Sequence, residues 1–193
     1  ALAEGQPGKS AALPGGTRMD AGYTYVTVLG PASKWPASPK FDGEISVNLP
    51  KRGRAIGETV RTQAGFWRVV ARSCETAISP NLAERGPVDS SNGLIHRITS
   101  QGAIVDRNIV GERLWLRHRL PGDLFQPAGM RGTKKLQDFL VDEKISRSLR
   151  DSMPLLDSPQ GVVWVAGWRV AEWARPTKNS SDLLELWLEL NLP

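Results

Sequence analysis

A stripe of cations alternates with apolar residues near the middle of this 193-residue chain. In an extended strand, Arg113, Arg117 and Arg119 would share one face with Trp115, because successive side chains of a strand point to opposite faces. Guanidinium groups neutralise phosphates, and an interleaved indole can stack on a base or a sugar. The pattern favours contact with a nucleic acid; the alternative is a solvated strand face with Trp115 packed under a loop.

A second group of cations follows at Lys134 and Lys135. Thr133 can cap a helix that we expect to run to about Lys144, which places both lysines in the first helical turn. That turn offers unpaired N–H groups and the positive end of the helix dipole, where anions bind and lysines are disfavoured. The placement predicts a phosphate contact; the alternative is two exposed lysines without a function.

Arg147 and Arg150 lie three residues apart on a predicted short helix and therefore share a face. We expect them to extend the same cationic surface from Lys144. Pairing with Asp151 or Glu143 is the alternative, and the sequence does not separate the two.

The charge of the chain is concentrated in one block. From Arg113 to Arg150 there are nine Arg and Lys against four Asp and Glu, a net charge of +5 that equals the net charge of the whole chain. Excess positive charge in one segment is typical of a protein that meets a polyanion there. The content of 40% hydrophobic and 23% charged residues excludes general disorder.

No catalytic or metal-binding arrangement is predicted. His96 and His118 lack partners at metal-ligand spacing, and we expect His118 to assist the nucleic-acid contact. The acidic cluster at Asp138, Asp142 and Glu143 is interpreted as a solvated helix face. Motifs for a nucleophilic serine or a phosphate-binding loop do not occur in these 193 residues.

The location is predicted from cysteine use and hydropathy. The single cysteine, Cys74, cannot form an internal disulfide and indicates a buried thiol in a reducing compartment. There is no apolar run long enough to span a bilayer and no apolar core of a signal peptide. We therefore expect a cytoplasmic protein that does not enter a membrane.

Periodicity predicts an α+β fold that is rich in β-structure, with small β-sandwich-like sheets and one or two short helices. The first helix would pack on the sheet through Leu136, Phe139 and Leu140, and the cluster of Trp164, Trp168 and Trp173 is interpreted as core. We divide the chain into a flexible leader (1–12), a β-rich linker or first subdomain (13–111) and a C-terminal nucleic-acid-binding domain (112–193). The predicted strands are Tyr23–Leu29, Glu44–Leu49, Phe66–Ala71, Leu94–Ile98, Ala103–Val105, Arg113–Arg119, Gly161–Ala166 and Leu184–Leu190, the last with a helix as the rival.

The basic block also carries a family pattern. The segment RHRLPGDLFQPAGMRGTKKLQDFLVDEKISRSLRDSMPLL, followed by VVWVAGWRV, resembles the C-terminal region of bacterial tRNA(Ile)-lysidine synthase. The matching positions are Arg117, Arg119, Pro121, Gly122, Asp123, Phe125, Pro127, Gly129, Met130, Gly132, Thr133, Lys134, Lys135, Leu136, Asp138, Phe139, Arg150, Asp151, Pro154, Leu155 and Gly167. The sequence departs from the family at Ala171 and Trp173, where the family often has an acid and a base.

The resemblance implies a function. Enzymes of this family use ATP to join lysine to the wobble cytidine of an isoleucine tRNA, in an N-terminal ATPase domain with an S-G-G-x-D-S motif that does not occur here. The C-terminal region would grip the tRNA near its acceptor stem and resemble a domain of the phenylalanyl-tRNA synthetase β subunit. We thus expect no cofactor in this chain, with ATP and Mg in the missing domain, and no catalytic activity from the chain alone.

The expected partners are tRNA, the protein's own N-terminal catalytic domain and a second copy of the chain in a homodimer. The rival interpretation is a protein–protein interaction or dimerisation module built from Trp-rich strands with a charged rim. The residues predicted to bind RNA are Arg113, Arg117, Arg119, Lys134, Lys135, Lys144, Arg147 and Arg150, and those predicted to shape the loop are Pro121, Gly122, Gly129, Gly132 and Thr133.

Overall fold

The computed structural model describes residues 10–21, 26–29, 41–53, 56–75, 98–99, 101–145 and 147–190. The strands in these ranges are β1 (Ser10–Leu13), β2 (Thr17–Ala21), β3 (Val26–Leu29), β4 (Ile45–Val47), β5 (Thr59–Ala64), β6 (Trp67–Cys74), β7 (Ala103–Asp106), β8 (Leu114–Arg117), β9 (Leu124–Phe125), β10 (Lys134–Lys135), β11 (Leu155–Ser158), β12 (Gly161–Val165), β13 (Arg169–Val170) and β14 (Leu183–Leu190). The helices are α1 (Arg107–Val110), α2 (Leu136–Asp142) and α3 (Arg147–Arg150), with 3-10 turns at Pro14–Gly16 and Glu172–Ala174.

A five-stranded antiparallel sheet carries the basic block. Its strand order is β13-β12-β11-β8-β4. The strand β8 lies inside the sheet, since β4 pairs with one of its edges and β11 with the other. The residues that follow β8 therefore leave the sheet from a fixed position.

A four-stranded antiparallel sheet has the order β5-β6-β14-β7. Its strand β14 pairs along its whole length with β6 and over four residues with β7, so the leucine-rich segment is a strand and the rival helix is excluded. Because β14 comes from the end of the chain and β5 to β7 come from residues 59–106, the boundary predicted at residues 111 and 112 does not separate two sheets.

One hydrophobic cluster joins the two sheets. Leu116 and Trp164 of the five-stranded sheet belong to the same cluster as Val69 and Leu186 of the four-stranded sheet, and all four are at most 1% exposed. Burying each such side chain stabilises the fold by about 1.5–3 kcal/mol. The α+β class with sandwich-like sheets and short helices is confirmed.

The helix α2 closes one side of this core. Its apolar face, Leu136, Phe139 and Leu140, is buried as expected, and the Phe139 ring meets Phe125 of β9 edge-on at 5.0 Å. The interpretation of the tryptophan cluster is also confirmed, since Trp164 is buried and its two neighbours in the cluster pack partly buried against the core.

Some sequence predictions differ from the structure or lie outside the described residues. Residues 10–12, expected to be part of a flexible leader, begin β1, which pairs with β2 across the predicted Pro-Gly turn. Ile98 is helical rather than extended. The expected strand residues Tyr23–Tyr25 and 94–97 lie outside the described ranges. Within the described part of the chain, no helix has the length and apolar character needed to cross a membrane.

Candidate nucleic-acid interface

Arg117 occupies the interior rather than the surface. Its guanidinium pairs with Asp157 of β11 at 2.5 Å and with Asp123 at 2.8 Å, and its side chain is only 8% exposed. Burial disfavours the charge, but the hydrogen bonds from Arg117 to Asp123 and Asp157 outweigh it, and the pKa of Arg117 is raised above its ordinary value. The expectation that Arg117 meets a phosphate is corrected: both carboxylates already neutralise it.

The same cluster fixes the turn that follows β8. Asp123 accepts the amide N–H of Leu120 at 2.7 Å in addition to its two bonds from Arg117. Gly122 has φ +89°, a conformation that costs an L side chain about 1–2 kcal/mol, and Pro121 before it suits position two of such a turn. Pro121 and Gly122 lie at the two central positions of this turn, which follows Arg119 directly.

Lys134 and Lys135 do not lie in the first turn of a helix. They form β10, which pairs with β9 (Lys134 opposite Phe125), and Lys135 only precedes the helix as its N-cap, without a side-chain cap bond. The first amide of α2, that of Leu136, donates to the Asp123 carbonyl at 2.8 Å. Strand pairing has overridden the local helix signal at Thr133, so the predicted phosphate site at a helix start is wrong.

The Lys134 side chain pairs with Asp142, one helix length further along the chain. Lys135 is exposed. The two lysines therefore differ: one is partly neutralised, and the other projects from the hairpin into solvent.

Three arginines converge on one cleft of about 480 Å³, whose lining residues are Arg119, Gln137, Arg147, Arg150 and Asp151. We call it the arginine cleft. The loop after β8, helix α2 and helix α3 each contribute to it. The expected shared surface of Arg147 and Arg150 is thus present, and it extends to Arg119.

The acid in the cleft pairs with one arginine. Asp151 accepts hydrogen bonds from Nε of Arg119 at 3.0 Å and from its Nη2 at 2.5 Å. Arg150 donates from Nε to the Ile145 carbonyl at 2.8 Å. The alternative for Arg147 and Arg150 was pairing with Asp151 or Glu143. Among the described residues, Asp151 pairs with Arg119 and Glu143 lies 3.6 Å from Arg169 instead.

The remaining predicted cations lie on the surface of the same segment. Arg113, Lys135 and Lys144 are exposed, and Lys144 ends the helical region with φ +56°. Sequence reasoning did not single out Gln137, which lines the arginine cleft, or Arg131, which is exposed between Gly129 and Gly132. The signal for Arg131 was available, since it is one of the nine cations of the block.

His118 is half-buried and packs against Phe41. Its ring lies 4.2 Å from that of Phe41, measured between centroids, and its Nε2 faces the Phe41 amide at 3.4 Å. Its Nδ1 lies 3.4 Å from the Met153 carbonyl. These contacts hold the His118 ring against the fold, and its expected assistance to RNA binding stays a prediction.

A second loop is held by Glu172. Its carboxylate accepts the Gly129 amide at 2.5 Å and pairs with Arg175 at 3.1 Å; the bond from Gly129, then that from Arg175, lowers the pKa of Glu172. The two positions at which the sequence departs from the family pattern lie on either side of Glu172. Ala171 is fully buried and Trp173 packs against the core, so both side chains contribute to packing.

Gly129 and Gly132, also predicted to shape the loop, both have positive φ. Thr133 lines a different cleft, together with Gly122 and Trp173.

Among the described residues no group of three or more His, Cys, Asp or Glu could hold a metal ion. Burial raises the pKa of the half-buried Cys74 to about 11, as is typical of an unreactive thiol.

The fold and the site define an α+β domain of two packed antiparallel sheets whose cationic loops and short helices line a cleft. Residues 114–188 match the family described as TilS substrate C-terminal domain. The crystal structure of TILS C-terminal domain aligns over its full length (100%) with 78% of this chain, with a TM-score of 0.51 and 19% identity. At this identity the likeness shows a shared fold.

Curated relatives match parts of this chain. The tRNA(Ile)-lysidine synthase of Caldanaerobacter subterraneus is 48% identical over 69 residues, which are 36% of this chain and 15% of the relative. That of Dehalococcoides mccartyi is 38% identical over 116 residues, 60% of this chain and 25% of the relative. The chain thus spans about a quarter or less of the length of these two relatives.

Proposed function

We propose that this chain is the tRNA-docking part of a tRNA(Ile)-lysidine synthase and holds the RNA by contacts to phosphates. The observation that carries the proposal is the convergence of Arg119, Arg147 and Arg150 on one cleft, inside a segment that holds the whole net charge of the chain. The family match over residues 114–188 supports the choice of tRNA as the polyanion.

Docking by shape and charge fits a paired RNA stem. Side chains cannot read bases in the deep, narrow major groove of A-form RNA, so contacts there go to phosphates and ribose. The proposed phosphate contacts are Arg113, Arg119, Lys134, Lys135, Lys144, Arg147 and Arg150. Arg117 is left out because its charge is neutralised in the interior. The stem we propose is the acceptor stem of an isoleucine tRNA.

In this proposal the chemistry takes place elsewhere in the cytoplasmic enzyme. Lysine ligation, ATP and Mg belong to a catalytic domain outside these 193 residues, with which the chain would cooperate while the tRNA is bound. The chain alone is expected to hydrolyse no ATP and to make no lysidine. ATP turnover by the purified chain that persists through further purification would contradict this part of the proposal.

The experiment for docking is filter binding of a labelled isoleucine tRNA transcript. The double variant Arg147→Gln/Arg150→Gln should weaken binding about tenfold or more, since each charge-assisted contact contributes about 1.5–3 kcal/mol. The matched control, Arg175→Gln/Lys178→Gln, removes the same charge outside the block and should change affinity less than threefold. Equal losses in the two variants would mean that only net charge matters and would defeat the assignment.

A second candidate function has its own observation. Leu120, Leu124 and Met130 are large apolar side chains exposed by 54%, 58% and 41% near the cationic loops, and exposed apolar groups with a polar rim can form a protein interface. Dimerisation or docking on the catalytic domain would use them. Sedimentation that shows self-association insensitive to salt, together with no RNA binding, would favour this function over the first.

A further inference from the structure

The arginine cleft offers more positive charge than one phosphodiester can neutralise. Three guanidinium groups face one carboxylate, Asp151, among its lining residues, which leaves a net charge of +2. A phosphodiester carries a single negative charge, whereas a phosphate monoester carries about −1.5 to −2 at pH 7. The monoester matches the charge of the cleft.

The hydrogen-bond donors of the cleft come from three separate elements of the fold. Arg119 comes from the loop after β8, Gln137 from α2, and Arg147 and Arg150 from α3. A terminal phosphate presents three non-bridging oxygens, while a diester within a chain presents two and must leave the cleft on both sides. Convergent donors therefore suit the end of a nucleic acid.

Two of the arginines are already fixed before any ligand binds. Asp151 holds Arg119 through Nε and Nη2, and the Ile145 carbonyl holds Nε of Arg150. Among the described residues, these bonds leave Nη1 of Arg119 and both terminal amino groups of Arg150 for a ligand. Fixed guanidinium groups lose less conformational entropy on binding, and they pair with phosphate oxygens in a forked geometry.

We infer that the arginine cleft binds a terminal phosphate monoester of the RNA, and that this contact positions the end of the stem on the domain. The inference rests on the proposed function, since it presumes that the chain binds RNA. It names the chemical group that the cleft selects: a dianionic phosphate at a strand end, rather than a phosphate within the backbone.

The test compares one tRNA transcript prepared with a 5′-phosphate, with a 5′-hydroxyl, or with a 5′-hydroxyl and a 3′-phosphate. The 193-residue chain should bind a phosphorylated form about tenfold more tightly than the hydroxyl form, and the arm that gains affinity identifies the strand end. A 5′ mononucleotide at millimolar concentration should compete with the phosphorylated transcript and so reduce this preference. If the mononucleotide displaces the hydroxyl transcript as well as it displaces the phosphorylated one, the cleft does not select strand ends and the inference fails.

The variant that isolates the cleft is Arg147→Gln, because Arg147 is exposed and makes no ion pair with another described residue that would hold the fold. It should reduce the tenfold preference to threefold or less, whereas Lys178→Gln should leave it unchanged. Equal binding of all three transcripts with a normal salt dependence would overturn the inference and leave the proposed function standing. Absence of binding to every transcript would overturn both.

Discussion

Arg117 and Asp157 meet in the interior of the protein, where Nε of the guanidinium lies 2.5 Å from Oδ2 of the carboxylate and both side chains are less than a tenth exposed. Asp123 completes the cluster from the turn after β8. The pair therefore links β8 to β11 while the second acid fixes the turn from which Arg119 reaches the arginine cleft. The sequence predicted Arg117 to contact a ligand. In the structure it instead stabilises the strand and the turn next to the arginine cleft.

Replacing Arg117 should destabilise the fold. Arg117→Ala leaves the carboxylates of Asp123 and Asp157 buried without a counter-charge, and breaking a buried pair in this way typically costs about 3–5 kcal/mol. We expect urea unfolding to show a loss of about 3 kcal/mol. The control Arg113→Ala removes an exposed arginine of the same segment and should stay within about 0.5 kcal/mol; similar losses for both would contradict the interior role.

Reversing the charge of the β10 lysines should weaken RNA binding. Lys134→Glu/Lys135→Glu places two acids on the proposed surface, and we expect at least a tenfold loss of affinity for tRNA in filter binding, about 1.4 kcal/mol. The matched control is Arg175→Glu/Lys178→Glu, which makes the same change in net charge outside the block. An unchanged binding curve for the β10 variant would remove the hairpin from the interface.

Releasing Lys134 from its acid should strengthen RNA binding. Asp142→Asn abolishes the pair with Lys134, and surface pairs are worth only about 0.2–1 kcal/mol, so the expected gain in tRNA affinity is about threefold. Asp138→Asn, an exposed acid on the same helix, removes equal charge without freeing a lysine and should have the smaller effect. The idea fails if the two variants gain equally or if Asp142→Asn binds more weakly.

Glu112 should make stability depend on pH in the acid range. The hydrogen bond from the buried Arg107, and then that from Arg52, holds the pKa of Glu112 below its ordinary value. A depressed folded-state pKa stabilises the fold above the unfolded value of about 4.3, and this contribution is lost as the pH falls through the lower folded value. The difference in unfolding free energy between wild type and Glu112→Gln should therefore shrink below about pH 4, and a difference that stays constant down to pH 2 would contradict it.

The strands could be predicted from the sequence because their signals are local. Alternation marked β8 and β14, and β-branched runs marked β6 and β12. The choice of strand over helix at β14 was not decided by the leucines themselves. It was decided by pairing with β6 and β7 on both sides, which depends on residues about eighty to a hundred and twenty positions away in the chain.

The sequence predicted only part of the candidate site. The wrong predictions have a common cause, which is contact between residues that are far apart in the chain. Alternation placed Arg117 beside Arg113 and Arg119, but burial of Arg117 depends on Asp157, 40 residues later. Lys134 and Lys135 carried a local helix signal that pairing with β9 overrode. The cations of α3 were placed correctly because a short amphipathic helix needs only local spacing, whereas Gln137 joined the cleft through tertiary packing that no pattern indicates.

The most direct test of phosphate docking is the salt dependence of tRNA binding by the wild-type chain and by Arg119→Gln/Arg147→Gln/Arg150→Gln. For a protein that neutralises Z phosphates of a duplex, log K falls with log salt with a slope of about −0.9Z. The wild type should give a steep slope, and the triple variant should give one that is shallower by about one to two units, because the cleft holds one terminal phosphate with a charge of about −1.5 to −2. Equal slopes for the two proteins would show that these arginines do not meet the RNA, and the account would be wrong.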